Sequence, residues 1–188
     1  MLVPMNRFFV LLGLLLASCT SSNQLQVRSV TVPSNQDVAA DSASQILETA
    51  RKSGGKVRTW KVPLEADGDF AFADQKRSFF VSAYDPPTAT QPRPRPVEYD
   101  SKMVGVSIKG KVAMTAPTSP EVRLMFEEIQ KKGVIRYGPD VEQPVFLTRS
   151  LQTSILLDGS EWAVVSQPPA AKDAEKHYLL LRAPLAKK

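Results

Sequence analysis

Thiols and imidazoles are almost missing from this chain. One cysteine, Cys19, and one histidine, His177, occur in 188 residues. A single thiol closes no intrachain disulfide, so no cystine framework staples the fold. Structural zinc held by thiolates is excluded with it. His177 has no accompanying signature of nucleophile and orienting acid, and it opens an apolar run, where a histidine is structural. There is no glycine-rich phosphate loop and no Gly-x-Ser-x-Gly elbow. No apolar run reaches the roughly 20 residues that a spanning helix needs, and no internal repeat is visible.

The apolar residues that are concentrated lie at the start. Phe8 to Ala17 are apolar apart from Gly13, and Arg7 is the only charged side chain ahead of Cys19. A basic start, a short apolar run and small residues at its exit form a secretion signal over residues 1–18. The chain resembles a bacterial lipoprotein precursor, because Leu16-Ala17-Ser18-Cys19 matches the lipobox position by position. The resemblance covers the signal and the anchor alone. It implies a diacylglyceryl thioether on Cys19, cleavage before it, and acylation, typically by palmitate, of the new amino end. Two or more acyl chains make attachment stable, since each buried methylene contributes about 0.8 kcal/mol. Thr20, where a retention aspartate would stand, points to the outer membrane with the body facing the periplasm.

Removal of residues 1–18 takes Arg7 away and leaves 23 basic against 19 acidic residues. That mild, interspersed excess reads as a soluble mixed surface and not as a nucleic-acid patch. The remaining 170 residues suffice for one domain with a core of its own. Residues 19–33 read as the lipidated end and a flexible tether, closing on an extended piece at Leu25/Val27 and Val30/Val32.

Within residues 34–188 the patterns predict α+β: a mainly antiparallel sheet with two helices on one face, in a single domain. The first helix carries Ala39, Ala43, Ile46, Leu47 and Ala50, starts at Ser34 or at a Ser42/Gln45 capping pair, and stops at Gly54-Gly55. The second is framed by Ser119, Pro120 and Glu121 at one end and Lys131, Lys132 and Gly133 at the other. Its stripe is Val122, Met125, Phe126 and Ile129, which leaves Leu124 exposed on the far side. Strands are expected over Val57–Val62, around Phe70 and Phe72, over Phe79–Tyr84, and over Met103–Met114, where Gly110 interrupts the apolar parity. Further strands flank Gly138-Pro139-Asp140, and Thr153–Val165 reads as a hairpin about Asp158-Gly159 that sets Ile155 opposite Trp162. Tyr178–Ala183, with three successive leucines, reads as a central strand buried on both sides.

Catalytic and metal chemistry finds no foothold in this pattern. Asp67, Asp69 and Asp74 lack the alternation and closing glutamate of a calcium loop. Glu127-Glu128 reads as a solvated helix face. No cofactor, metal or small-molecule substrate is therefore expected. The proline- and arginine-rich segment 85–97 cannot donate a sheet ladder and favours an extended, exposed loop. Its Arg93 and Arg95, together with Leu124, are the candidate partner contacts. The reading that results is a non-enzymatic envelope lipoprotein docking on a protein partner, as a component of a secretion, conjugation or pilus type machine. The alternative is a periplasmic carrier or inhibitor holding a lipid, glycan or protein in an apolar groove, which calls for a pocket of roughly 300–1,000 Å³.

Overall fold

The computed structural model describes residues 23–36, 38, 42–116, 119–158, 161–167 and 175–183. Cys19 and the lipobox lie outside the described residues, as does the Pro168-Pro169 segment. Eight strands and one helix follow in chain order: β1 (Gln24–Pro33), α1 (Ala43–Lys52), β2 (Lys56–Pro63), β3 (Asp69–Asp85), β4 (Arg95–Ala116), β5 (Ser119–Arg136), β6 (Glu142–Leu156), β7 (Ala163–Gln167) and β8 (Glu175–Arg182). They form two antiparallel four-stranded sheets. Sheet 1 has the order β2-β1-β8-β7 and sheet 2 the order β3-β4-β5-β6.

This corrects the α+β expectation. The fold is all-β, two sheets with one short helix among the described residues. The expected second helix is strand β5, hydrogen-bonded to β4 on one side and β6 on the other. Residues 122–126 fit both periods: Val122, Phe126 and Met125 make a helical stripe, while Val122, Leu124 and Phe126 alternate. Two neighbouring strands decide between them, because pairing on both edges satisfies every backbone group that a helix would satisfy internally. Leu124 accordingly turns inward and is 2 % exposed.

The two sheets meet over one core. Sheet 1 contributes Leu25, Val27, Val62, Leu179 and Leu181; sheet 2 contributes Phe70, Ile108, Val122, Leu124 and Phe126. Trp60 of β2 tilts onto Phe126, ring centroids 6.0 Å apart. Gly110 lies between Phe70 and Leu124 in the ladder, and a Cβ there would come within 2.8 Å of the Phe70 ring. The missing side chain is what lets that ring lie across β4.

The opposite face of sheet 1 carries α1. Ile46 and Ala50 of the helix bury Val30, Val32, Tyr178 and Leu180. Ser42 caps the helix, its side chain accepting from the Gln45 N–H at 3.5 Å. Strand β8 is therefore covered on both sides, Leu179 and Leu181 against sheet 2, Tyr178 and Leu180 against α1, as its run of leucines predicts. The extended piece expected at Leu25/Val27 and Val30/Val32 is strand β1, which takes up Gln24–Pro33 of the expected tether; it sits between β2 and β8 and changes its apolar parity midway, from Leu25/Val27 to Val30/Val32. Its register is unbroken, so Ser29 and Thr31 continue the face that looks at sheet 2.

The hairpin expected over Thr153–Val165 does not form. Strand β6 ends in sheet 2, where Ile155 pairs with Val122, while β7 belongs to sheet 1. Strand β6 ends at Leu156 and β7 begins at Ala163, in different sheets. Trp162 lies instead beneath two guanidinium groups, Arg28 at 4.2 Å and Arg182 at 5.0 Å from its ring, in cation–π contact.

Candidate functional site

Sheet 2 is much longer than sheet 1, and its far half divides. Strands β4 and β5 pair from Ala116/Ser119 as far as Gly105/Ile129 and no further. Beyond that fork, β3 and β4 continue alone from Lys76/Val104 to Asp85/Arg95. Strands β5 and β6 continue alone to Arg136/Glu142. At about 3.3 Å per residue, the first ribbon reaches about 30 Å and the second about 20 Å past the fork. Gly105 has φ +136°, and a Cβ there would meet the Asp74 carbonyl oxygen at 2.0 Å. Only glycine permits the backbone to part at that point.

The ribbons lean on each other through side chains. Phe80 of β3 and Phe146 of β6 lie 5.5 Å apart between ring centroids, Lys102 sits over Phe146, and the Tyr84 hydroxyl donates to the Glu142 carbonyl at 3.4 Å. Their other surfaces are apolar and open. Phe79 is 69 % and Tyr99 68 % exposed, and Val97, Met103, Val134, Ile135, Tyr137 and Val145 are exposed with them. Most of the large exposed hydrophobic residues among those described lie on these ribbons. Scattered single residues would need no explanation, but a concentration on one projection marks a contact surface.

Segment 85–97 forms the tip of the longer ribbon. It is solvent-exposed between β3 and β4, held by reciprocal backbone bonds of Thr88 and Gln91, and β4 begins within it at Arg95. Arg93 and Arg95 are both exposed there. Leu124 is not with them. It pairs with Gly110, about 50 Å along β4 from Arg95, and it is buried between the sheets. The expected exposed contact at Leu124 is thus corrected: the residue is core.

A second feature was invisible in the sequence. Where Ser29 and Thr31 replace the valines of β1, the layer between the sheets turns polar. Glu128, expected on a solvated helix face, is 3 % exposed. Its Oε1 accepts from Arg58 and from Gln130, each at 2.7 Å, and Arg149 approaches its Oε2 at 3.6 Å. Arg149 also faces Glu175 at 3.7 Å, and Glu175 lies 3.8 Å from His177. His177 is buried and shares a 3.2 Å hydrogen bond with the Thr31 hydroxyl. These residues come from five strands, β1, β2, β5, β6 and β8. Only the register exposes the signal: Glu128 continues the inward parity of Val122, Leu124 and Phe126, and Arg149 that of Ile155 and Leu151.

The outer face of sheet 2 bears an open depression of about 690 Å³, with Lys109, Arg123, Met125 and Gln152 among its lining. Asp67, Asp69 and Asp74 do not converge on a metal: Asp67 accepts from the Asp69 N–H at 3.1 Å and Asp69 pairs with Lys111 at 2.9 Å. Among the described residues no three His, Cys, Asp or Glu side chains are grouped to hold an ion, and no helix is long and apolar enough to cross a membrane.

The fold and its two ribbons define an all-β sandwich with a forked sheet. Comparison with known proteins finds no matching family model, no similar curated protein and no similar solved structure.

Proposed function

We propose that the protein is a non-enzymatic lipoprotein, anchored through Cys19 to the outer membrane with its body in the periplasm, that docks on a protein partner through its two ribbons. It serves as a structural or assembly component of an envelope machine of the secretion, conjugation or pilus type. The lipobox resemblance supports the anchor. The docking role rests on one observation, the apolar ribbons that project past the fork with Phe79 and Tyr99 more than two-thirds exposed. Such side chains supply contact area at low entropic cost, and aromatic residues carry much of the energy in protein interfaces. The basic tip at Arg93 and Arg95 adds bidentate donors for a partner's carboxylates.

The test places a photo-crosslinking amino acid at Phe79, at Tyr99 and, as a control, at Glu48 on the exposed side of α1, in cells labelled with palmitate. Label is expected on the wild type and is expected to vanish in Cys19→Ser. Adducts of one defined mass are expected from positions 79 and 99 and not from 48. Absence of adducts at both ribbon positions removes the docking reading. The open depression of sheet 2 then becomes the site to probe, in the size range of the carrier alternative.

A further inference from the structure

The polar end of the intersheet layer holds a small cavity of about 30 Å³ that opens to solvent past Lys56, Arg58 and Lys132. We propose that this cavity is a binding site for a small monocarboxylate such as formate or acetate. Its lining holds four cationic side chains, Lys56, Arg58, Lys132 and Arg149, against two carboxylates, Glu128 and Glu175. The carboxylates are already engaged. Glu128 takes Arg58 and Gln130 at hydrogen-bonding distance, and Glu175 stands between Arg149 and His177. Two positive charges are left over, and neither Lys56 nor Lys132 has an ion pair among the described residues.

Arg149 is the second indication. Its side chain is only 9 % exposed, yet both of its ion-pair contacts, 3.6 and 3.7 Å, are longer than a hydrogen bond, and its Nε has no partner among the described residues. A buried guanidinium is ordinarily met by a planar acceptor in bidentate fashion. The cavity has room for about two water-sized atoms. That takes the two oxygens of one carboxylate, with the carbon end of the ligand at the open side of the cleft. Water would fill the same space without offering the buried Arg149 guanidinium a charged planar acceptor.

The experiment titrates the purified full chain in detergent with sodium acetate, and in parallel with acetamide, its neutral isostere, at ionic strength held constant with sodium chloride. The readouts are melting temperature and calorimetric heat. Acetate is expected to raise the melting temperature saturably and acetamide to leave it unchanged. Lys56→Gln and Lys132→Gln alter exposed residues and leave the core intact. Each is expected to weaken acetate about threefold, the worth of one partly exposed ion pair. Equal responses to acetate and acetamide, or unchanged acetate affinity in both variants, overturn the site and leave water as the occupant.

Discussion

Replacing Leu124 by alanine tests the register of the whole second sheet. Leu124 is 2 % exposed in the intersheet core, while its neighbour Met125 points to the opposite face and is 41 % exposed. Leu→Ala removes three carbon groups. At about 0.8 kcal/mol for each, transfer alone contributes about 2.4 kcal/mol. The space left between two paired sheets cannot close fully, and residual volume adds about 24 cal/mol per Å³, for a total of about 3–5 kcal/mol. Met125→Ala opens no cavity and is expected to cost less than about 1 kcal/mol. Urea denaturation followed by tryptophan fluorescence reads both, since Trp60 packs on Phe126 two residues away. The midpoint should fall sharply for Leu124→Ala with the slope unchanged. A one-residue slip would exchange the two faces. A larger loss for Met125→Ala than for Leu124→Ala therefore refutes the register, and with it the burial of Glu128 and Arg149.

Two further expectations concern charge. Glu128→Ala deprives a buried Arg149 of its nearer carboxylate and is expected to cost about 3 kcal/mol in the same assay; Glu128→Leu combined with Arg149→Met should recover much of that loss, and additive losses would contradict the pairing. The Glu121 carboxyl is held below its ordinary range by the Ser154 hydroxyl at 2.6 Å and then by Arg123 at 3.0 Å. A depressed folded value means a contribution that is full above the ordinary carboxylate range and disappears as pH falls through the folded value. The stability gap between wild type and Glu121→Gln should thus close on acidification below about pH 4, and a gap that persists to lower pH counts against the interaction.

The sequence made some elements legible for definite reasons. Strand β8 announces itself because three consecutive leucines leave no polar face. Helix α1 is readable from the Ser42 cap and from Ile46 and Ala50 on one side. The parity of Val106, Ile108 and Val112 sets the inward face of β4. Strand β5 reads locally as a helix because its boundary residues are helix signals, while the forces that extend it come from pairing with β4 and β6. The span 153–165 reads as a hairpin for a related reason: Asp158-Gly159 favours a tight turn, but the flanking strands find their partners in different sheets. The polar cluster had no local motif at all. Glu128 and Arg149 lie 21 positions apart in the chain and acquire meaning only as the two partners of one rung in the β5/β6 ladder.

The position of β1 has a mechanical consequence. It begins at Gln24, five residues past Cys19, so a body fastened at that cysteine sits on a leash of at most about 18 Å. Strand β1 is also bonded along both edges, to β2 and to β8, by bonds that lie across its direction. A pull along it loads two ladders together in shear and cannot peel them one rung at a time. Tension on the ribbons would then pass to the bilayer through a strand laced on both edges.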